Sequence, residues 1–240
     1  MDYDPMADQY ARHRACHPGV LEEISRRVGA ETKLLEVGCG TANYLAALYA
    51  LTGCTCWGVD PSQRMLAVAR ARCPEAQLLL GSGEGLPCPS DFFDLVLSID
   101  VIHHIDDRGA YFAEAYRVLK PGGSLCTVTD SEEIIRGRHP QSTYFPETVD
   151  VELGRYPSVQ QLKGLSSSAG FIHWRKSQVQ LESQLTSAEA YAAKAMSSLH
   201  LISPEAFASG LERLENDLRR GPVSEVRAYV LLWATKPLAV

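Results

Sequence analysis

The sequence has no uninterrupted apolar run approaching ~18 residues, the length that a membrane-spanning helix needs. It has no excess of positive charge either. Over 240 residues the formal net charge is −6. An acidic chain is repelled by phosphate backbones, so nucleic acid is not expected as a partner, and neither is a membrane. Two local basic pairs, Arg26–Arg27 and Arg219–Arg220, read as solvated helix ends. Residues 1–7 carry Asp2 and Asp4 instead of a basic region followed by an apolar stretch, so no targeting segment is expected and the cytoplasm is the expected compartment. There is no internal repeat and no low-complexity tract. Metal-site spacing is missing as well. Cys54 and Cys56 are separated by a single residue, no second pair follows, and the odd count of seven cysteines points to free thiols. No metal is expected.

What remains is an ordinary globular composition, with 45% hydrophobic and 22% charged residues. The length suits one domain with its own core. A helix is expected from Pro18 to about Val28, stopped by Gly29. Strands and helices then alternate. The strands are Lys33–Val37, Cys56–Val59, Gln77–Leu80, Phe93–Ile99 and Ser124–Thr129. The helices are Thr41–Leu51, Ser62–Arg72 and Gly109–Leu119. This rhythm predicts an α/β fold with a doubly wound, mostly parallel, Rossmann-like sheet and helices on both faces. Beyond Asp130 the rhythm breaks. Residues 131–157 read as a long polar connection. A helix over Ser158–Ala169, a strand over Phe171–Leu181, two helices within 186–220 and a last strand over Glu225–Thr235 follow. The helical segment 186–220 is thus an insertion before the last strand.

Chemistry concentrates at the first strand and its turn, Glu36-Val37-Gly38-Cys39-Gly40-Thr41-Ala42. Glycines there let a ligand approach the backbone closely. Asp60 follows Gly38 by about twenty residues, at the end of the next strand, where a carboxylate can accept from ribose hydroxyls. A dinucleotide fingerprint requires a small residue where Asn43 stands. Glu36 would repel a pyrophosphate but suits a cation. Electrostatics therefore favours a sulfonium nucleoside over a nicotinamide dinucleotide. An NAD(P)-dependent oxidoreductase and a non-catalytic nucleoside-binding module are the alternatives.

Five segments, in order, resemble the class I S-adenosylmethionine-dependent methyltransferases, in the broad group that includes quinone-biosynthesis methyltransferases. They are Leu35-Glu36-Val37-Gly38-Cys39-Gly40; Gly58-Val59-Asp60-Pro61-Ser62; Gly81-Ser82-Gly83-Glu84-Gly85-Leu86-Pro87; Phe93-Asp94-Leu95-Val96 through His103-His104; and Arg117-Val118-Leu119-Lys120-Pro121-Gly122-Gly123. The resemblance implies a single methyltransferase domain over 1–240, with a lid and helix at 1–30, a cofactor-binding core at 31–130, and an acceptor-site cover from 131–157 and 186–220. It implies seven strands with an antiparallel last one. It implies S-adenosylmethionine as cofactor, S-adenosylhomocysteine as product, and a small-molecule acceptor.

The resemblance also implies residue roles. Glu36 would orient the methionine amino group, and Gly38, Cys39 and Gly40 would line the methionine and ribose. Asp60 would hold the ribose hydroxyls, with Pro61 and Met65 flanking the adenine. Ser82 and Gly83 would meet the adenine edge, and Glu84 would brace their loop. Ser98 would offer its backbone carbonyl to the amino group. Tyr10 would close over the cofactor. Two positions depart from the family pattern: Ala42 replaces the third glycine, and Ser82 stands where Asp is usual. His103 is the candidate general base or acceptor-orienting group. Tyr3, His13, Arg14, Arg136, Arg138, His139 and Tyr144 are candidates to cover the acceptor, while Tyr191, Met196 and Leu199 have the helical spacing of core residues. The sequence is silent on acceptor identity and oligomeric state.

Overall fold

The computed structural model describes residues 15–239. Tyr10, Tyr3, His13 and Arg14 lie outside the described residues. Helix α1 (Pro18–Ser25) begins with proline in its first turn and His17 as its cap. Then follow β1 (Lys33–Val37), α2 (Asn43–Thr52), β2 (Thr55–Asp60), α3 (Gln63–Arg72), β3 (Gln77–Leu80) and β4 (Phe93–Ile99). A 3₁₀ turn over Ile102–His104 leads to α4 (Arg108–Val118) and β5 (Leu119–Thr129).

The seven strands of the described residues form one sheet in the order β3-β2-β1-β4-β5-β7-β6, where β6 is Ile172–Leu185 and β7 is Val223–Thr235. The pairs among β1 to β5 are parallel. β7 runs antiparallel to both β5 and β6. The doubly wound, seven-stranded expectation is thereby met, including the antiparallel last strand. Both hairpin strands are longer than their apolar alternation suggested, because they continue past the core and pair with each other.

Two apolar layers cover the sheet. On one face Tyr111, Phe112, Ala115 and Val118 of α4, with Leu162 of α8 (Val159–Ser168), pack on Leu35, Val37, Val96 and Leu125. On the other, Val20, Ile24, Leu45, Leu48, Leu66 and Ala69 from α1, α2 and α3 pack on Leu34, Cys56, Leu97 and Cys126. Successive strand residues serve opposite layers, so near-continuous apolar strands are required. That is why those strands could be read from the sequence.

The segment 131–157 differs from its expected form as a polar connection. It folds into α5 (Glu132–Gly137), α6 (Gln141–Tyr144) and α7 (Glu147–Arg155). Ser131 caps α5 through Ile134 N–H. The polar residues that suggested a loop face inward: Asp130, Gln141 and Glu152 are buried. Arg138 bridges Asp130 and Glu152, and Gln141 Nε2 donates to Ser198 Oγ at 2.9 Å. A polar set satisfied internally carries no apolar period to read.

The insertion holds α9 (Glu189–Ala192), a 3₁₀ turn at Ser197–His200 and α10 (Pro204–Leu218). Tyr144 and Phe145 pack with Tyr191, Leu199, Leu214 and Val223 in a third cluster, with Met196 at its margin. The two segments expected to cover the acceptor site therefore form one packed unit. Tyr144 belongs to that cluster and not to a cavity wall at the sheet edge.

Candidate functional site: the carboxyl edge of the parallel strands

The parallel register aligns the strand ends. Val37 sits beside Val59 and Ser98, and Asp60 beside Leu80. This brings Glu36–Gly40, Asp60, Gly81–Glu84 and Ser98–Asp100 to one edge, at the switch point where ligands of open α/β sheets bind. A cavity opens there, lined among others by Glu36, Gly38, Cys39, Thr41, Asn43 and Tyr44, with Ile99, Asp100 and Tyr229 opposite.

The turn after β1 is made by backbone conformations that side chains resist. Gly38 has φ +71, and a Cβ there would lie 2.5 Å from a Val101 methyl. Gly40 and Ala42 are also left-handed. Arg72 of α3 steadies the turn, donating to the Thr41 carbonyl (3.1 Å) and hydroxyl (2.7 Å). Nothing in the sequence order linked Arg72 to that turn.

Glu36 is buried, and among the described residues its Oε2 has no hydrogen-bond partner. Burial, then the nearby Asp60, push its pKa up to about 8, against a lesser opposing hydrogen bond from the Leu45 backbone. An acid so placed needs a cation to ionise at neutral pH. Asp60 accepts from the Gly40 N–H at 2.8 Å through one oxygen and from the Ser62 N–H at 2.9 Å through the other. Cys39 lines the cavity by its position in the turn, but its thiol packs inward: a Cβ on Gly58 would lie 2.7 Å from its Sγ.

The next loop follows β3. Ser82 is exposed and bridges to Gly85. Gly83 is buried, and a Cβ there would meet Tyr111, Ile105 and Val37 at 3.1–3.2 Å. Glu84 Oε1 accepts from Asp106 N–H at 3.2 Å, tying this loop to the one after β4. Arg117, a motif residue without an assigned role, holds the following stretch by donating to the Leu86 and Cys88 carbonyls at 3.0 and 2.9 Å. Pro61 is exposed and Met65 buried, one turn into α3. Ser98 is fully buried and its hydroxyl accepts from Tyr111 at 2.9 Å.

Beyond β4 the chain turns through Asp100, whose φ is +57. Its Oδ1 accepts from the Tyr156 hydroxyl at 3.1 Å. The buried His103 ring stacks on Tyr156 at 4.0 Å and 17°, with His104 at 3.9 Å on centroid distance. His103 is thus packed between rings beside the cavity and is not among the residues lining it. Asp100, Tyr156 and Tyr229 were not singled out from the sequence. The left-handed Asp100 was the available signal, since strained backbone gathers at functional sites, but φ is invisible in a sequence.

A family model described as "Methyltransferase domain" matches residues 35–127. A ubiquinone biosynthesis O-methyltransferase of Rhodopseudomonas palustris is 30% identical over 130 residues, which are 52% of this chain and 50% of that one. A demethylmenaquinone methyltransferase of Anoxybacillus flavithermus is 31% identical over 153 residues, 60% of this chain and 64% of that one. The chain spans about half the length of the first curated relatives it matches. Among solved structures, a chain from Anabaena variabilis described as a putative methyltransferase from an antibiotic biosynthesis pathway superposes with a TM-score of 0.71 at 21% identity, covering 92% of this chain and 98% of that one. The matched segment contains Glu36, Gly38, Cys39 and Asp100 of the cavity, and the fold is similar to that of the solved structure named above. Residues 35–127 are similar to the methyltransferase-domain family.

Proposed function

We propose that this chain transfers a methyl group from S-adenosylmethionine to a small-molecule acceptor by in-line displacement. The observation that carries the reading is the buried Oε2 of Glu36 in the cavity wall, which has no partner among the described residues. S-adenosylmethionine fits the residues present: its ammonium would satisfy that oxygen and ionise Glu36, and the glycine turn leaves room for its backbone approach. When bound, it supplies an electrophilic sulfonium methyl.

The chain's own residues bind and orient. Glu36 takes the amino group, with the Ser98 backbone carbonyl. Gly38, Cys39 and Gly40 line the methionine and ribose. Asp60, fixed through both oxygens, keeps lone pairs for the ribose hydroxyls. Pro61 and Met65 flank the adenine, Ser82 and Gly83 meet its edge, and Glu84 braces their loop; Tyr10, expected at the cofactor, lies outside the described residues. Asp100 and Tyr229 serve as the acceptor wall, Tyr156 holds Asp100 through its hydroxyl, and the packed unit of 131–157 with 186–220 covers that wall. Holding the acceptor in line can supply about 7–11 kcal/mol of barrier lowering without a base. His103 then serves by positioning Tyr156 and Asp100. The relatives named above act in quinone biosynthesis by their names, which supports a small acceptor. Seven cysteines, none of them disulfide-bonded, suit the cytoplasm.

The test is a thermal-shift comparison with S-adenosylhomocysteine, S-adenosylmethionine, NAD⁺ and NADPH, followed by transfer of labelled methyl to a panel of phenols, thiols and amines. A ligand at ~100 times its Kd stabilises by about 2.7 kcal/mol. Shifts with the two sulfur nucleosides alone, and label on an acceptor, are expected. A shift with a dinucleotide instead overturns the reading; sulfur-nucleoside binding without turnover on any acceptor leaves a binding module.

A further inference from the structure

β6 closes one side of the sheet, and among the described residues no strand pairs with its outer edge. The direction of its backbone groups follows from β7. In an antiparallel ladder each residue turns its N–H and C=O to the same side. Gly122 N–H donates to the Lys236 carbonyl and Lys236 N–H to the Gly123 carbonyl, while Val226 N–H donates to His139. Even-numbered β7 positions therefore face away from β6, and odd-numbered ones face it. Register pairs Tyr229 with Val179 and Val226 with Glu182. So the odd residues of β6 bond to β7, and Lys176, Gln178, Gln180, Glu182 and Gln184 direct their N–H and C=O groups to the open edge.

All five of those residues are exposed. From 175 to 185 the register is unbroken, and the strand holds no proline or glycine. Natural edges are usually blunted by proline, a bulge, charged side chains or a short length. This one has a bulge only at its start, between Ile172 and Arg175, and runs regularly from Arg175 to Leu185 with Lys176 and Glu182 as its outward charges. We propose that it pairs with the same strand of a second copy, antiparallel and centred on Val179, to give a two-fold dimer with a continuous sheet.

Charge selects that register. Centred on Val179, Lys176 stands opposite the partner's Glu182 and Glu182 opposite the partner's Lys176. Gln178 faces the partner's Gln180, and Arg175 faces the partner's Ser183. Two opposite-charge cross-strand pairs form and no like charges meet. Shifting the centre to residue 178 or 180, the neighbouring registers that keep outward groups paired, sets Lys176 against glutamine. Among the described residues Lys176 has no ion pair, and Glu182 has only the Gln180 amide at 3.1 Å. A self-complementary patch on a two-fold axis is the ordinary form of a homodimer interface.

Sedimentation velocity of the full chain at low salt tests this. The expected mass is twice that of one chain, 26.3 kDa. K176E and E182K, each alone, are expected to give the single-chain mass, because each places like charges opposite one another. K176E/E182K is expected to restore the doubled mass. Both side chains are exposed, and far-ultraviolet circular dichroism checks each fold. A wild-type protein at the single-chain mass overturns the proposal. So do single variants that keep the doubled mass, or a double variant that fails to recover it. None of these readouts depends on methyl transfer.

Discussion

Asp60 Oδ2 accepts a hydrogen bond from the Gly40 N–H at 2.8 Å, so the end of β2 holds the turn that leaves β1. One carboxylate thus shapes the glycine turn at the position proposed to hold a ribose. Removing it in Asp60→Ala strips acceptors from two backbone N–H groups. Hydrogen bonds to charged groups contribute about 1.5–3 kcal/mol each. S-adenosylhomocysteine affinity should fall about tenfold or more, with a lower Tm for the free protein. Calorimetric titration giving a wild-type Kd would remove Asp60 from the site.

Glu36 makes a pH prediction whose sign is fixed. Its proton leaves near pH 4.5 in the unfolded chain and near 8 in the native one. Between those values the native state holds the extra proton, so ligand-free stability from this group falls as pH rises and levels off above about 8. Affinity for a cationic ligand rises over the same range, because binding needs the carboxylate. Glu36→Gln should flatten the stability slope and weaken binding of S-adenosylmethionine. Melting curves from pH 5 to 8.5 with equal slopes for both proteins would refute the assignment.

Gly58 tests the packing behind the turn. A Cβ there would meet Cys39 Sγ at 2.7 Å, Leu78 at 2.8 Å and Leu45 at 2.9 Å. Overpacking of this kind costs about 1–3 kcal/mol. Gly58→Ala should lower the urea midpoint and loosen cofactor binding through Cys39. Gly85→Ala, where a Cβ meets nothing within 4 Å, should leave both unchanged. Equal midpoints for the two variants would mean that β2 can shift to make room.

His103 separates a base from a spacer. His103→Phe keeps a ring against Tyr156, while His103→Ala does not. If the ring only positions Tyr156, kcat should fall about tenfold in the alanine variant and recover in the phenylalanine one, with the pH profile unchanged. Equal loss in both variants, together with the disappearance of the acidic limb of the pH–rate profile, would make the imidazole the general base.

The parallel half of the fold was legible because each strand there is apolar on both faces and ends at glycine or aspartate. Residues 33–37, 77–80 and 93–99 fall where the apolar runs placed them. That Glu36, Gly38 and Asp60 gather at the strand edge was legible because each sits at the end of a strand that the apolar runs placed. Cys39 was half legible: its backbone position lines the cavity, while its thiol is turned to Gly58 by a packing choice that no motif encodes. Arg72, Asp100, Tyr156 and Tyr229 escaped, since each reaches the site from a separate element.

The sequence by itself determined the sheet, the glycine turn and the acid at its base. These depend on local periodicity and on residue types that tolerate few substitutes. Tertiary structure alone decided that Glu36 is stripped of water, that 131–157 coils into helices around Arg138, and that His103 lies under Tyr156. Desolvation, satisfaction of buried charge and ring stacking are properties of neighbours brought together from distant positions. Their energies appear only when the chain has folded.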